Sequence, residues 1–424
     1  MKYHFKAIHI SKIAVLGIFL NYYCFNLITG HLIPFGTYIF YGLAILGVLI
    51  SAYKEPIRFS VDIKCWILFF LMSVALIPLA MSKLHAFNGL KDYFQRLILI
   101  IVIAYICEKE GSIKYAIRLL AITAGVCAVT SLFMMNSYNQ KLSMSSGATI
   151  STNDIGSLMA FGCFAVIFAF GIGENSRLHK TIFKVAYVIT ALVVISIAGS
   201  RKSIIAIIIL FIALFLFCGR DYFKNVTSLR LVGTVIIFVA AFIFVYIYLF
   251  PNYEDTNLFI RTAGRQTERT ANSDQTRIDY YIIALEDFRD NLFFGLGFNN
   301  YKYIHHNYSH STYVEPLACS GLLGLLYLAP YIHIFVNQIK LSFNKKFNLT
   351  ASDRVIQKEL LAFYISFLFI GIGIPYIYKD LPCIILAMFI AWQKISLTKL
   401  AENSHEILTE EEKNARKTIA RAAS

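Results

Sequence analysis

The stretch VAYVITALVVISIAGSRKSIIAIIILFIALFLFC, residues 185–218, decides the class of fold. Two apolar runs stand back to back, each close to the roughly 20 residues that cross a bilayer as a helix. The only charges in the stretch are Arg201 and Lys202, in the short turn between the runs. The segment therefore reads as a pair of membrane helices joined at one face of the bilayer.

The rest of the chain has the same character. Of its 424 residues 58% are hydrophobic and 15% charged, where a soluble domain carries about 25% charged residues. Mean hydropathy is +0.63. This composition excludes a disordered chain, a secreted disulfide scaffold and an ordinary cytosolic enzyme. Twelve stretches are long and apolar enough to span: 13–28, 32–51, 65–82, 93–107, 116–135, 155–173, 182–199, 203–218, 231–250, 315–337, 359–376 and 380–397. The first follows Lys2, Lys6 and Lys12 but leads to no small-residue cleavage site, so it reads as a helix and not a signal peptide. No run of alternating polar and apolar residues recurs as a membrane β-barrel requires. The expected fold is an all-α polytopic membrane protein with about twelve helices.

Twelve spans with both termini cytoplasmic place about two thirds of the 39 Lys and Arg on the cytoplasmic side, as the positive-inside rule demands. The net charge of +14 is thereby explained without nucleic acid. Much of the remainder sits in one long outside loop, 251–314. The organisation is then helices one to nine over 1–250, that loop, helices ten to twelve over 315–400, and a cytoplasmic tail, 401–424. Thr409 and Glu412 form a capping box for a short helix in the tail. The eight cysteines lie in or beside apolar runs with no C-x-x-C pair, and read as small buried hydrophobes. No internal repeat of fixed period is present.

Candidate chemistry gathers at the outside turns. Arg201 and Lys202 at the joint between two apolar runs either snorkel to headgroups or hold a phosphate. Arginine suits the second role, since its planar fork grips phosphate oxygens in pairs and stays charged. Arg277 lies at the start of IDYYIIALEDFRD, whose Ile278, Tyr281, Ile282, Leu285 and Phe288 share one helical face. That spacing predicts an amphipathic helix on the outer surface or over a cavity, ended by Asn291 and Gly295. A weaker amphipathic pattern over 83–92 predicts a second outside segment. His305, His306 and His310 cluster before helix ten, as anchors at the membrane border or as a base. Glu315, five residues after His310, either orients that imidazole or caps the helix. Ligand spacing for a metal is lacking, and so are a nucleotide-binding fingerprint and a P-loop.

GSRKS at 199–203, the late outside loop, TRIDYYIIALEDFRDNLFFGLGFNNY at 276–301 and HSTYVEPLACSGLLGLL at 310–326 together resemble the O-antigen polymerase and O-antigen ligase superfamily of bacterial envelope enzymes. STNDIGS at 151–157 is a weaker match. The resemblance spans most of residues 150–330. It implies a membrane glycosyltransferase working at the outer face of the inner membrane. The donor would be a glycan on undecaprenyl pyrophosphate, and membrane lipid and a chain-length regulator would be partners. No cofactor, metal or nucleic acid is implied. Arg201 and Arg277 match the family's pyrophosphate-binding arginines, and His310 its catalytic histidine. Lys202, Arg96 and Glu315 are secondary substrate-binding candidates. Where ligases carry an asparagine after the histidine this chain has Ser311, which favours polymerase. A polysaccharide flippase or other transporter is the rival class. It would show repeat symmetry and polar groups at mid-membrane, whereas here the polar residues gather at the outer face. A purely structural membrane protein leaves the Arg and His placement unexplained.

Overall fold

The computed structural model describes residues 2–33, 35–53, 57–136, 141–142, 151–169, 178–222, 268–344 and 351–399. Apart from a two-rung antiparallel ladder, Met135 with Leu142 and Asn136 with Lys141, these residues are helical or in turns. Helix α1 is Lys2–Leu20, extended by a π turn at Asn21–Phe25 and a last turn, Asn26–Thr29. Then come α2 (Gly36–Ala52), α3 (Val61–Ala75), α4 (Lys83–Lys109), α5 (Lys114–Phe133), α6 (Thr152–Ala169), α7 (Leu178–Ala198) and α8 (Arg201–Tyr222). The second half holds α9 (Glu268–Asp290), α10 (Asn300–His305), α11 (Glu315–Ser320), α12 (Gly324–Phe343), α13 (Ala351–Gly371) and α14 (Leu381–Lys399).

Each expected span that falls among the described residues overlaps a helix, but 65–82 and 359–376 outrun theirs, which end at Ala75 and Gly371, and 315–337 is broken by a tight turn at Gly321–Leu323. The span at 231–250, the start of the outside loop and the tail with its capping box lie outside them. Among the described residues, five helical stretches, and not twelve, are long and apolar enough to cross a membrane: Ala7–Thr29, Lys114–Phe133, Arg201–Gly219, Glu315–Phe343 and Leu381–Lys399. Gly36–Ala52, Thr152–Ile167 and Phe183–Ala198 are shorter apolar helices. Serines set two starts. The Ser60 hydroxyl accepts the Ile63 N–H at 3.3 Å, and the Ser82 hydroxyl that of His85 at 3.5 Å, each taking up a donor the first turn leaves unmet.

The helices pack as a bundle, with α1 against α2, α3 against α12, α8 against α13, and α5, α6 and α7 in succession. Trp66 Nε1 donates to the Tyr327 carbonyl at 3.0 Å and ties α3 to α12. Phe164 and Phe363 stack at 3.7 Å between α6 and α13. Along α8, Ala206, Leu210 and Ala213 are buried, whereas Ile205, Ile208, Ile212 and Leu216 are exposed. A bare aliphatic strip of this kind is the mark of a helix facing lipid. None of the eight cysteines is in a disulfide, and seven of them are buried.

Two expectations change. Residues 83–92 are not separate from the span at 93–107 but form the first turns of the same helix, α4. Arg277 does not start its helix either, since α9 begins at Glu268. The face α9 buries also differs from the apolar one. Ala284 is fully buried and Tyr280, Ile283 and Asp287 lie half-buried beside it, but Ile278, Ile282 and Leu285 are about half exposed. The reason is steric and polar. Ala284 permits close approach to α11, and Asp287 accepts a bond from His305 at 2.8 Å, so the helix rolls toward that side.

Candidate active site

His310 lies in the loop between α10 and α11 with φ 60°. Asn299 and His306 also have positive φ, so three of the four such non-glycine residues among the described ones fall between 299 and 310. Backbone of this kind persists only where its surroundings over-determine it. Here they do. The buried Ser309 N–H donates to Glu315 Oε2 at 2.6 Å, and Ser309 Oγ accepts the Ser311 N–H at 3.3 Å. On the other side, the Thr312 N–H donates to the Gly371 carbonyl at 2.8 Å, and Thr312 Oγ1 accepts the Tyr376 N–H at 3.0 Å. The Tyr313 hydroxyl donates to the Leu368 carbonyl at 2.6 Å. The Tyr281 hydroxyl of α9 bonds the Ile372 carbonyl and lies 3.3 Å from that of His310. Beneath this loop, Gly295 (φ 66°) sits so close to α11 that a Cβ there would meet the Cys319 carbonyl carbon at 2.4 Å. The Gly-x-Gly turn is therefore fixed by contact.

Three cations from distant parts of the chain act electrostatically on the histidine. Arg277 comes from the middle of α9. Lys202, in the first turn of α8, donates from Nζ to the Gly373 carbonyl at 2.9 Å. That approach is possible only over a glycine, since a Cβ at Gly373 would fall 1.8 Å from the Nζ. Lys379, in the turn before α14, pairs with Asp154 at 2.8 Å, and both side chains are largely buried. Asp154 also accepts the Ser151 N–H and hydroxyl, which fixes it in the first turn of α6. Burial first, then the charges of Arg277, Lys202 and Lys379, push the His310 pKa down to about 4. The imidazole is thus neutral near neutral pH, with a ring nitrogen able to accept a proton.

The remaining candidates are placed around this centre. Arg201 opens α8 beside Lys202, half-buried. Lys202, ranked below it by sequence, is the one whose charge bears on His310. Glu315 is fully buried and holds the backbone next to His310. Arg96 donates to Asp380 at 2.9 Å and to the Ile377 carbonyl at 3.3 Å, which anchors the turn that carries Lys379. His305 is engaged by Asp287, and His306 is exposed.

Lys379 and Asp154 were not singled out from sequence. The signal for Lys379 was present, because YIYKDLP puts a lysine in a short turn between two apolar runs, as GSRKS does for Arg201 and Lys202. Asp154 gave no such signal, since its partner is 225 positions away.

Residues 186–329 match the family model described as O-Antigen ligase, about a third of the chain. The match takes in Arg201, Lys202, Arg277, His310 and Glu315, and it supports the superfamily of O-antigen ligases and polymerases. Arg96, Asp154 and Lys379 lie outside it, so the structure completes the site with residues from both flanks. No curated protein matches the chain.

Proposed function

We propose, taking the superfamily of the matched stretch as the premise, that this protein is a membrane glycosyltransferase that polymerises lipid-linked oligosaccharide repeat units. It works at the outer face of the inner membrane, through twelve spans with both termini cytoplasmic and the 251–314 segment outside. The donor is a glycan on undecaprenyl pyrophosphate, and the acceptor is a sugar hydroxyl of a second lipid-linked unit. The observation that carries the reading is the convergence of Arg277, Lys202 and Lys379 on a half-buried, neutral His310.

Each part has a role in such a transfer. The acceptor hydroxyl is a weak nucleophile, and an imidazole nitrogen of His310 takes its proton as the oxygen attacks the anomeric carbon. The bond from that carbon to the phosphate oxygen breaks, and the lipid pyrophosphate leaves with the electron pair. Arg277 and Arg201 bind the departing phosphates, and Lys202 and Lys379 add positive charge already held in place by Gly373 and Asp154. Glu315 and Arg96 position the two loops. A base with a pKa near 4 is weak, but a pyrophosphate bound among the cations offsets their charge and raises it. The base then strengthens only when donor is present.

The test uses purified protein with a synthetic lipid-pyrophosphate glycan, following turnover and donor affinity separately. His310→Ala loses turnover by about 10²–10⁴-fold while donor binding persists. Near-normal turnover in that variant removes base catalysis by His310.

A second reading, ligation of finished polymer to a lipid A core, is favoured by the description of the matched family. The glycan profile of a deletion strain separates the two. Single capped repeat units mean a lost polymerase; uncapped core with free lipid-linked polymer means a lost ligase.

A further inference from the structure

The end of the bundle away from His310 carries a second concentration of charge. Helix α4 is anchored at Ser82 beside the start of α10, where Asn300 accepts the Ser82 N–H at 2.7 Å. At about 1.5 Å per residue its other end, Lys109, lies about 40 Å away. Helix α14 starts beside Lys379 and, at the same rise, finishes at Lys399 about 28 Å away.

Two cavities open at that far end. One, of about 500 Å³, is lined by Arg58, Lys109, Lys394 and Lys399, with Tyr105 and Ile395 as apolar wall. The other, of about 460 Å³, is lined by Lys12, Lys109, Lys114 and Arg118. Lys109 belongs to both, so the cavities adjoin. The carboxylates that line them are Glu108, which pairs with Lys394, and Glu110, which pairs with Lys12. Seven cations thus face two carboxylates across adjoining hollows whose walls include isoleucine and tyrosine. A charge excess on loops satisfies the positive-inside rule wherever the loops lie. The same cations folded around a cavity with an apolar wall are more than that rule needs.

We propose that these adjoining cavities bind the phosphate-bearing headgroup of an anionic membrane lipid in the leaflet opposite the His310 site. The cations meet the phosphate, and Ile57, Ile395 and Tyr105 lie against the glycerol and first acyl carbons. Charge favours this occupant over a zwitterionic headgroup, whose ammonium the cations would repel. The inference does not depend on the transferase reading, since it uses none of that site's residues.

The test is thermal unfolding of the full chain in neutral detergent, titrated with short-chain phosphatidylglycerol, phosphatidylcholine or inorganic phosphate. Phosphatidylglycerol is expected to raise the midpoint saturably by several degrees, and phosphatidylcholine to leave it unmoved. Arg58→Ala with Lys399→Ala, neither of them in the two ion pairs, is expected to need about tenfold more phosphatidylglycerol for the same shift. Arg289→Ala, on the exposed side of α9, is expected to respond as the unaltered protein does. Should the double variant not accumulate, Arg58→Gln alone is read in the same titration. An unchanged response in the cavity variants, or an equal response to phosphatidylcholine, overturns the site. A full shift with millimolar inorganic phosphate alone overturns the lipid assignment and leaves a free-phosphate site.

Discussion

His310 shows how one residue's chemistry is set by groups from four segments. Its pKa is held below the ordinary value by burial first, then by Arg277, Lys202 and Lys379. The sign of each effect gives a measurement. On the proposed mechanism His310 stays unprotonated down to about pH 4 in the free protein, so the acid limb of kcat/KM is expected near there. With donor bound, the added negative charge raises the histidine pKa, so the acid limb of kcat falls at higher pH. Arg277→Gln removes a lowering charge and moves the kcat/KM limb upward, toward but not as far as the ordinary histidine value, since burial remains. A limb that stays put in Arg277→Gln separates that arginine from the histidine. Stability follows the same linkage. The folded pKa is below the unfolded one, so the contribution of neutral His310 is complete above about pH 6.5 and is lost as pH falls toward 4.

The elements that matter most are two turns between helices, 371–380 and 306–314, stitched together through Thr312, Tyr376 and Gly371. Arg96 holds the first of them by its pair with Asp380, both side chains less than a fifth exposed. Cutting one partner from such a pair leaves a buried charge, at a cost of about 3 kcal/mol. Arg96→Met is therefore expected to destabilise the protein by about that amount and to lower turnover through the displaced Lys379. Arg96→Met with Asp380→Leu recovers most of the stability but not the turnover. Stability and turnover both unaffected in Arg96→Met would mean that the pair does not hold the turn. The other element whose placement the sequence misjudged is α9. Its hydrophobic face was legible, but the buried side is decided by Ala284 and by the Asp287–His305 contact, neither of which is a matter of hydrophobicity.

At the scale of the molecule, the bundle separates two charged ends by the length of α4. One holds the histidine among cations, and the other holds the paired cavities. The proposed orientation puts the His310 end outside. Gln275 is exposed on α9, so Gln275→Cys in a cysteine-free background reports that side. An impermeant thiol reagent is expected to label it in intact spheroplasts. Labelling only after the membrane is opened reverses the orientation and places the transfer on the cytoplasmic side.

The sequence by itself determined that this is a helical membrane protein, where most of its helices run and which turns carry charge. Those properties depend on local composition: a run of leucine, isoleucine and phenylalanine must be helical in lipid because no water is there to satisfy its backbone. It also marked Arg201 and Lys202 as candidates, since charge between two apolar runs stands out in one dimension, whereas Arg277 and His310 were chosen through the family resemblance. Only the tertiary structure decided that the Lys379–Asp154 pair stands beside the candidate site, that Arg96 and Glu315 hold backbone, and which face α9 buries. Each of these rests on a partner tens to hundreds of residues away, or on the close approach a small side chain allows. Such contacts are set by how the helices pack, and no local pattern records them.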